Sequence, residues 1–388
     1  MNISLQPIVL RWARERAGLD AAALAKKLST TEEKVLQWEQ DGTLTYKRAE
    51  KLAEKTHTPF GYLFLEEPPL EQLPISDFRT VGSEEPKRPS PELLDVLFDA
   101  MSKQAWYRDY LIEMGEPRLD YIGSIGLEDA PAAVGERIRH HFGFDSATRA
   151  EASDWKAALN LMFEQCEAHG ILVTRTGMAK SNTHRPLLVK EFRGFALSDP
   201  YAPLIFINSK DSHAAQMFTL VHELVHLWLG LSGVSNLVST YAPSARVEQF
   251  CNQVAAEVLV PLDALRAQLA LAQEDDDPIR RLVRHFKVSS LVILRRLRDI
   301  EELDAATFRK LYKDEEDRFA AIQAKQKAKG GGGNYYASKH VQVGRRFAQA
   351  LIGSALEGRT PYREAYSLLG VRKTETFNNF ARQLHFNV

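Results

Sequence analysis

"AAQMFTLVHELVHLWLGLSG", residues 214–233, is the stretch on which the fold and the chemistry turn. Leu220, Val221, Leu224, Val225, Leu227, Trp228 and Leu229 give it the apolar density of a buried helix. Yet His222, Glu223 and His226 occupy its central turn. Three ionisable groups in such a helix are costly unless they are paired or bound to a metal.

On a helix, His222 and His226 lie one turn apart and share a face. That spacing lets both imidazoles reach one tetrahedral metal, with Zn–N bonds of roughly 2.0–2.1 Å. Glu223 is turned about 100° round the helix from His222, so it can sit beside such a metal without ligating it. Zinc lowers the pKa of water towards about 7, and a carboxylate in that position can take the proton. This is the His-Glu-x-x-His pattern of zinc peptidases. The plain alternative is a pair of satisfied core histidines.

A catalytic zinc needs a third protein ligand and keeps a fourth position open. "SARVEQFCNQVAAEVLVP", residues 244–261, reads as the next helix and offers Glu248 and Glu257. Glu248 has Asn252 four residues on, on the same face, where its side chain can hold a metal-bound histidine by the second ring nitrogen. Glu257 is followed by a run of aliphatic residues and is the alternative third ligand, or a purely structural carboxylate. Tyr241 and His213 are the weak candidates for stabilising an oxyanion.

Working outward, 388 residues imply two to four domains, and a hydrophobic content of 44% supports real cores. The net charge of −1 selects neither nucleic acid nor membrane through a global field. Cys166 and Cys251, far apart, form no disulfide framework, and no apolar run approaches the roughly 20 residues of a membrane span. With no signal-peptide pattern at the start, the expectation is a cytoplasmic protein with no membrane partner. The fold class reads as mainly α (α+β). It comprises a helix-turn-helix domain (1–68), a linker rich in Pro and Glu (69–91), a zinc peptidase domain (92–272), a helical extension (273–326), a Gly-rich linker (327–334) and a C-terminal helical region (335–388).

Three strand candidates precede the motif helix: "ILVTRT" (171–176), "LLVKEFRGFALSD" (187–199) and "PLIFINS" (203–209). They suggest a small three-stranded sheet. If "RGFALSD" and "PLIFINS" form an edge over the zinc helix, that edge can accept an extended peptide by main-chain hydrogen bonds. An ordinary edge covered by a loop is the other reading.

Residues 1–68 show short helices joined by tight turns, the helix-turn-helix pattern. "TTEEKVLQW" (30–38) would enter the major groove, with Lys34 and Gln37 as the DNA-binding candidates, since such side chains read base edges. Glu32 and Glu33 oppose this, and residues 1–65 hold only ten Lys and Arg against eight Asp and Glu. Operator binding and protein docking both stay open. Trp38 reads as core. The basic segment with Arg280, Arg281, Arg284, Lys287, Arg295, Arg296 and Arg298 reads either as a DNA contact or as the solvated face of a structural helix pair.

"FTLVHELVHLWLG" (218–230) followed by "VEQFCNQVAAEVLVP" (247–261) resembles the ImmA/IrrE family of metallopeptidases, as does the strand "PLIFINSKDS" before them. Residues 5–66 resemble the Cro/repressor (XRE) type of helix-turn-helix domain that is often fused to this peptidase. The resemblance implies a zinc-dependent bacterial or phage-borne enzyme that cuts a repressor or antitoxin and so derepresses a stress, mobile-element or toxin operon. It implies His222, His226 and Glu248 as zinc ligands and Glu223 as general base. Its partners would be that protein substrate and, through the first domain, operator DNA. The rival is a non-proteolytic transcriptional regulator or antitoxin with a vestigial zinc site. Nothing in the sequence sets the oligomeric state.

Overall fold

A computed structural model describes residues 1–78, 88–235, 243–271, 277–326 and 342–388. By packing, the chain forms two compact units: Met1–Pro74 with Pro86–Leu97, and Ile75–Glu85 with Phe98–Val388.

The first unit is built from β1 (Asn2–Ser4), α1 (Pro7–Arg16), α2 (Ala21–Leu28), α3 (Glu32–Asp41), β2 (Thr43–Thr45) and α4 (Tyr46–Thr56). Three helices start where an oxygen-bearing side chain takes an orphan backbone N–H: Asp20 for α2, Thr31 for α3 and Thr45 for α4. Ser29 in the left-handed region ends α2, so only three residues separate it from α3. Val9, Leu10, Leu24, Leu28, Val35, Trp38, Leu52 and Leu63 form the core. Glu39 is buried because Arg14 grips both its oxygens, at 2.6 and 2.9 Å. Lys34 and Gln37 are exposed on α3, and Gln37 bonds Asp41 at 3.3 Å.

The second unit contributes β3 (Ser76–Asp77) to a sheet, and α5 (Pro91–Glu113) follows in the chain. Then come α6 (Pro131–Phe142), α7 (Ser146–Glu151), α8 (Trp155–Ala168), β4 (Leu172–Thr176), β5 (Gly194–Leu197), β6 (Leu204–Asn208), α9 (His213–Trp228) and β7 (Gly233–Ser235). The remainder is helical: α10 (Pro243–Leu259), α11 (Leu262–Ala270), α12 (Pro278–Phe286), α13 (Ser290–Asp299), α14 (Ala305–Gln326), α15 (Arg345–Leu356), α16 (Tyr362–Leu369) and α17 (Thr374–Gln383). The fold is mainly helical with one small mixed sheet in this unit, the α+β class read from the sequence.

The sheet has five strands, in the order β3-β7-β5-β6-β4, rather than three. β3 and β7 are two and three residues long, too short to show any alternation of polarity. β3 comes from the stretch read as a linker. The candidate strand 187–199 shrinks to Gly194–Leu197. Nor do "RGFALSD" and "PLIFINS" supply an edge: β5 lies between β7 and β6, and β6 between β5 and β4. Both are buried along their whole length, which explains their continuous apolar runs.

Motif helix α9 is capped by Ser212 and packs on β5, β6, α8 and α10. The end of α10 is anchored by three arginines. Arg139 donates to Glu257 O at 2.5 Å, Arg149 to Leu259 O, and Arg296 to Val260 O at 3.0 Å. Carbonyls at a helix end lack partners one turn on, and these guanidinium groups, buried in Arg149 and Arg296, satisfy them. The basic segment is therefore partly structural: Arg296 is buried, and Arg281 and Arg298 also donate to backbone carbonyls. At the far side of the sheet, Gly344 lies against Val173 O of edge strand β4. A Cβ there would stand 2.9 Å from that oxygen. The Gly-rich stretch 327–334 lies outside the described residues. Among the described residues, no helix is long and apolar enough to cross a membrane.

Candidate metal centre

The sequence makes α9 a buried helix by surrounding its motif with aliphatic residues, and the structure buries His222, Glu223 and His226 completely. α10 packs beside it and brings Glu248, also buried, to the same point. His222 Nε2 is 3.1 Å from His226 Nε2 and 3.1 Å from Glu248 Oε2. Glu248 Oε1 is 3.0 Å from His226 Nε2.

This donor set fits a small divalent cation. Tetrahedral ligands with bonds of roughly 2.0–2.1 Å stand about 3.3 Å apart, close to the observed spacings. Two imidazole nitrogens and a carboxylate converge here in a dry interior, which is unfavourable without a cation or extra protons. Behind the cluster, His222 Nδ1 donates to Asn252 Oδ1 at 3.0 Å. That bond fixes the tautomer and leaves the Nε2 lone pair facing Glu248 and His226.

The electrostatics follow from burial and from this contact. Burial pulls His222 down, but the Glu248 carboxylate outweighs it and the net shift is upward. Burial leaves His226 below its ordinary value. Burial raises Glu248, but the two imidazoles overcome this and hold it well below the usual carboxylate range. Glu223, buried and next to that carboxylate, is pushed up to about 8 despite its bond from Ser235.

Glu257 is not brought to this point. It pairs with Arg296 Nη2 of α13 at 2.6 Å. His213 opens α9 nine residues before His222, about 13 Å along the axis, and lines a separate cleft with Trp155, Arg280 and Arg284. Tyr241 lies outside the described residues.

Three residues escaped the sequence reading. Cys251 is buried, and its sulfur lies within 4.8 Å of the histidine donor atoms. Its spacing of three residues from Glu248 on one helix was the available signal. Burial, reinforced by the nearby carboxylates, pushes its thiol up and keeps it neutral. Ser235 of β7 donates to Glu223 Oε1, while Glu223 Oε2 has no partner among the described residues. Gly194 of β5 lets the sheet approach: a Cβ there would stand 3.0 Å from Glu223 Oε1 and 2.7 Å from Thr219. No local pattern marks these last two, since each acts across the sheet.

Comparison with known proteins agrees with this location. Residues 343–383, covering α15 to α17, match the family model of a domain of unknown function (DUF8813). A comparison with curated proteins finds no match. Residues 166–298, which hold β4 to β7 and both helices of the metal centre, match the IrrE N-terminal-like domain of peptidase M78, in the ImmA/IrrE family.

Proposed function

We propose that this protein is a zinc-dependent endopeptidase whose active centre is His222, His226, Glu248 and Glu223. The observation that carries the reading is the convergence of three buried donors at 3.0–3.1 Å with a second carboxylate, Glu223, beside them. The first three would hold zinc, Asn252 orienting His222. Bound zinc would supply an acidified water and polarise the scissile carbonyl. Glu223 takes the proton on a carboxylate oxygen and passes it to the departing amine. Ser235 holds Oε1, so Oε2 remains the atom free for transfer. A cation held by His222, His226 and Glu248 would lower Glu223 from its raised value and favour its ionised form. A purely structural zinc site has no use for a carboxylate held in this way.

The substrate in this reading is a protein repressor or antitoxin, cleaved to derepress an operon. The first unit, with its capped helices α2 and α3 three residues apart, supports an operator-binding role for Lys34 and Gln37. The test is zinc content and cleavage of the repressor encoded beside the gene. The wild-type chain should hold about one zinc. His222→Ala should lose it. Glu223→Gln should keep zinc and lose cleavage. Full activity in Glu223→Gln would refute the reading.

A further inference from the structure

The sheet edge beside the metal centre is occupied by the chain itself. Ser76 and Asp77 pair in parallel with Gly233 and Val234 of β7. The next residue, Phe78, lays its ring on the imidazole of His226, with centroids 5.1 Å apart and planes at 12°. Gly233 makes room for that ring, since a Cβ there would stand 2.1 Å from Phe78 Cε2. One residue past Val234, Ser235 bonds Glu223. A single three-residue strand therefore touches the bound segment at one end and the candidate proton carrier at the other.

Three properties mark this segment as an exchangeable occupant. The contact is small: two residue pairs, in the less stable parallel arrangement, and one aromatic stack. It is made in the manner of an added peptide strand, with main-chain bonds to an edge and one side chain in a shaped recess. And the segment is distant in sequence from the strand it covers, Ser76 pairing with Gly233, so it reaches the sheet as a tethered loan from elsewhere in the chain.

We propose that the Gly233–Ser235 edge and the face of the His226 ring on which Phe78 lies form a subsite for an extended peptide carrying an aromatic side chain. Ser76, Asp77 and Phe78 fill it in cis, and the protein substrate displaces them. The proposal rests on the peptidase reading and adds the class of peptide it accepts. Because it belongs to the same chain, the internal segment competes for the edge at a fixed local concentration. An incoming peptide then binds with its intrinsic affinity reduced by the fraction of time the edge is free. Phe78 thereby selects for substrates that bring an aromatic ring of their own.

The experiment uses the full-length, zinc-loaded protein carrying Glu223→Gln, so that nothing is cut. The probe is a fluorescein-labelled peptide of residues 73–78, Leu-Pro-Ile-Ser-Asp-Phe, read by anisotropy. Adding Phe78→Ala to the protein should tighten probe binding at least about tenfold. The same peptide with alanine in place of its phenylalanine should not bind. Gly233→Val in the Phe78→Ala background should abolish binding. A second measurement needs no change at Phe78. In the parent protein, excess probe should raise hydrogen exchange in residues 75–78 while 233–235 stay protected. Equal affinity with and without Phe78, indifference to Gly233→Val, or unchanged exchange at 75–78 would overturn the proposal. Loss of cleavage in Glu223→Gln is read separately, so a failed subsite and a failed peptidase assignment give different results.

Discussion

Glu257 Oε1 accepts a 2.6 Å hydrogen bond from Arg296 Nη2, and both side chains are buried. The second carboxylate of α10 is thereby committed to α13, while the first, Glu248, reaches the two histidines of α9. Glu257→Ala would leave the Arg296 charge buried with one partner fewer, a change that typically costs about 3–5 kcal/mol. It should therefore lower Tm while zinc affinity in a competition titration stays near wild type. Glu248→Ala should do the reverse for zinc and weaken it strongly. The opposite order would move the third ligand to Glu257.

Among the described residues, Asn252 reaches the centre through His222 Nδ1. Removing such a partner typically costs about 10- to 100-fold in metal affinity. Asn252→Ala should show that loss in a chelator competition, and Asn252→Asp should recover most of it. Unchanged affinity in Asn252→Ala would show that the tautomer is held by other means.

Glu167 offers a pH test remote from the metal. Burial pushes it up to about 7, against the pull of the Arg346 and Arg345 backbone N–H groups. A carboxyl raised from 4.5 to about 7 binds more protons folded than unfolded across that window. Its contribution is thus present at low pH and is lost as pH rises through about 7. The loss is up to about 3 kcal/mol. Zinc-loaded Glu167→Gln should gain stability relative to wild type between pH 5 and pH 8. A difference in Tm that stays constant with pH would refute the assignment.

Lys34 tests the DNA-binding reading. It is exposed on α3. Full-length protein should bind its promoter DNA with affinity that falls as salt rises, and Lys34→Ala should lower the salt slope by about one unit if Lys34 meets a phosphate. No DNA binding at low salt would leave the first unit as a protein-docking module.

Much of the centre was legible in the sequence because helical periodicity is local. His222, Glu223 and His226 announce themselves by spacing alone. So does the pairing of Glu248 with Asn252, since four residues make one turn. The same rule places Cys251 on the Glu248 face, three residues on. Capping residues Asp20, Thr31, Thr45 and Ser212 each sit where a helix begins, because an orphan N–H needs an acceptor within three residues. The short apolar runs at β4 and β6 were equally plain.

What only the tertiary structure decided involves partners far apart in sequence. Choosing between Glu248 and Glu257 required knowing that Arg296 stands beside one of them. The bond from Ser235 to Glu223 and the clearance at Gly194 depend on sheet order, which no hydrophobic pattern encodes. β3 and β7 are too short for any pattern and exist because a neighbouring strand offers them hydrogen bonds. Their pairing turned an expected linker into the occupant of the sheet edge. The sequence determined which donor types the candidate centre offers and at what spacing, because both are properties of a single segment. The tertiary structure decided which groups support and cover it, because those contacts form only when distant segments pack.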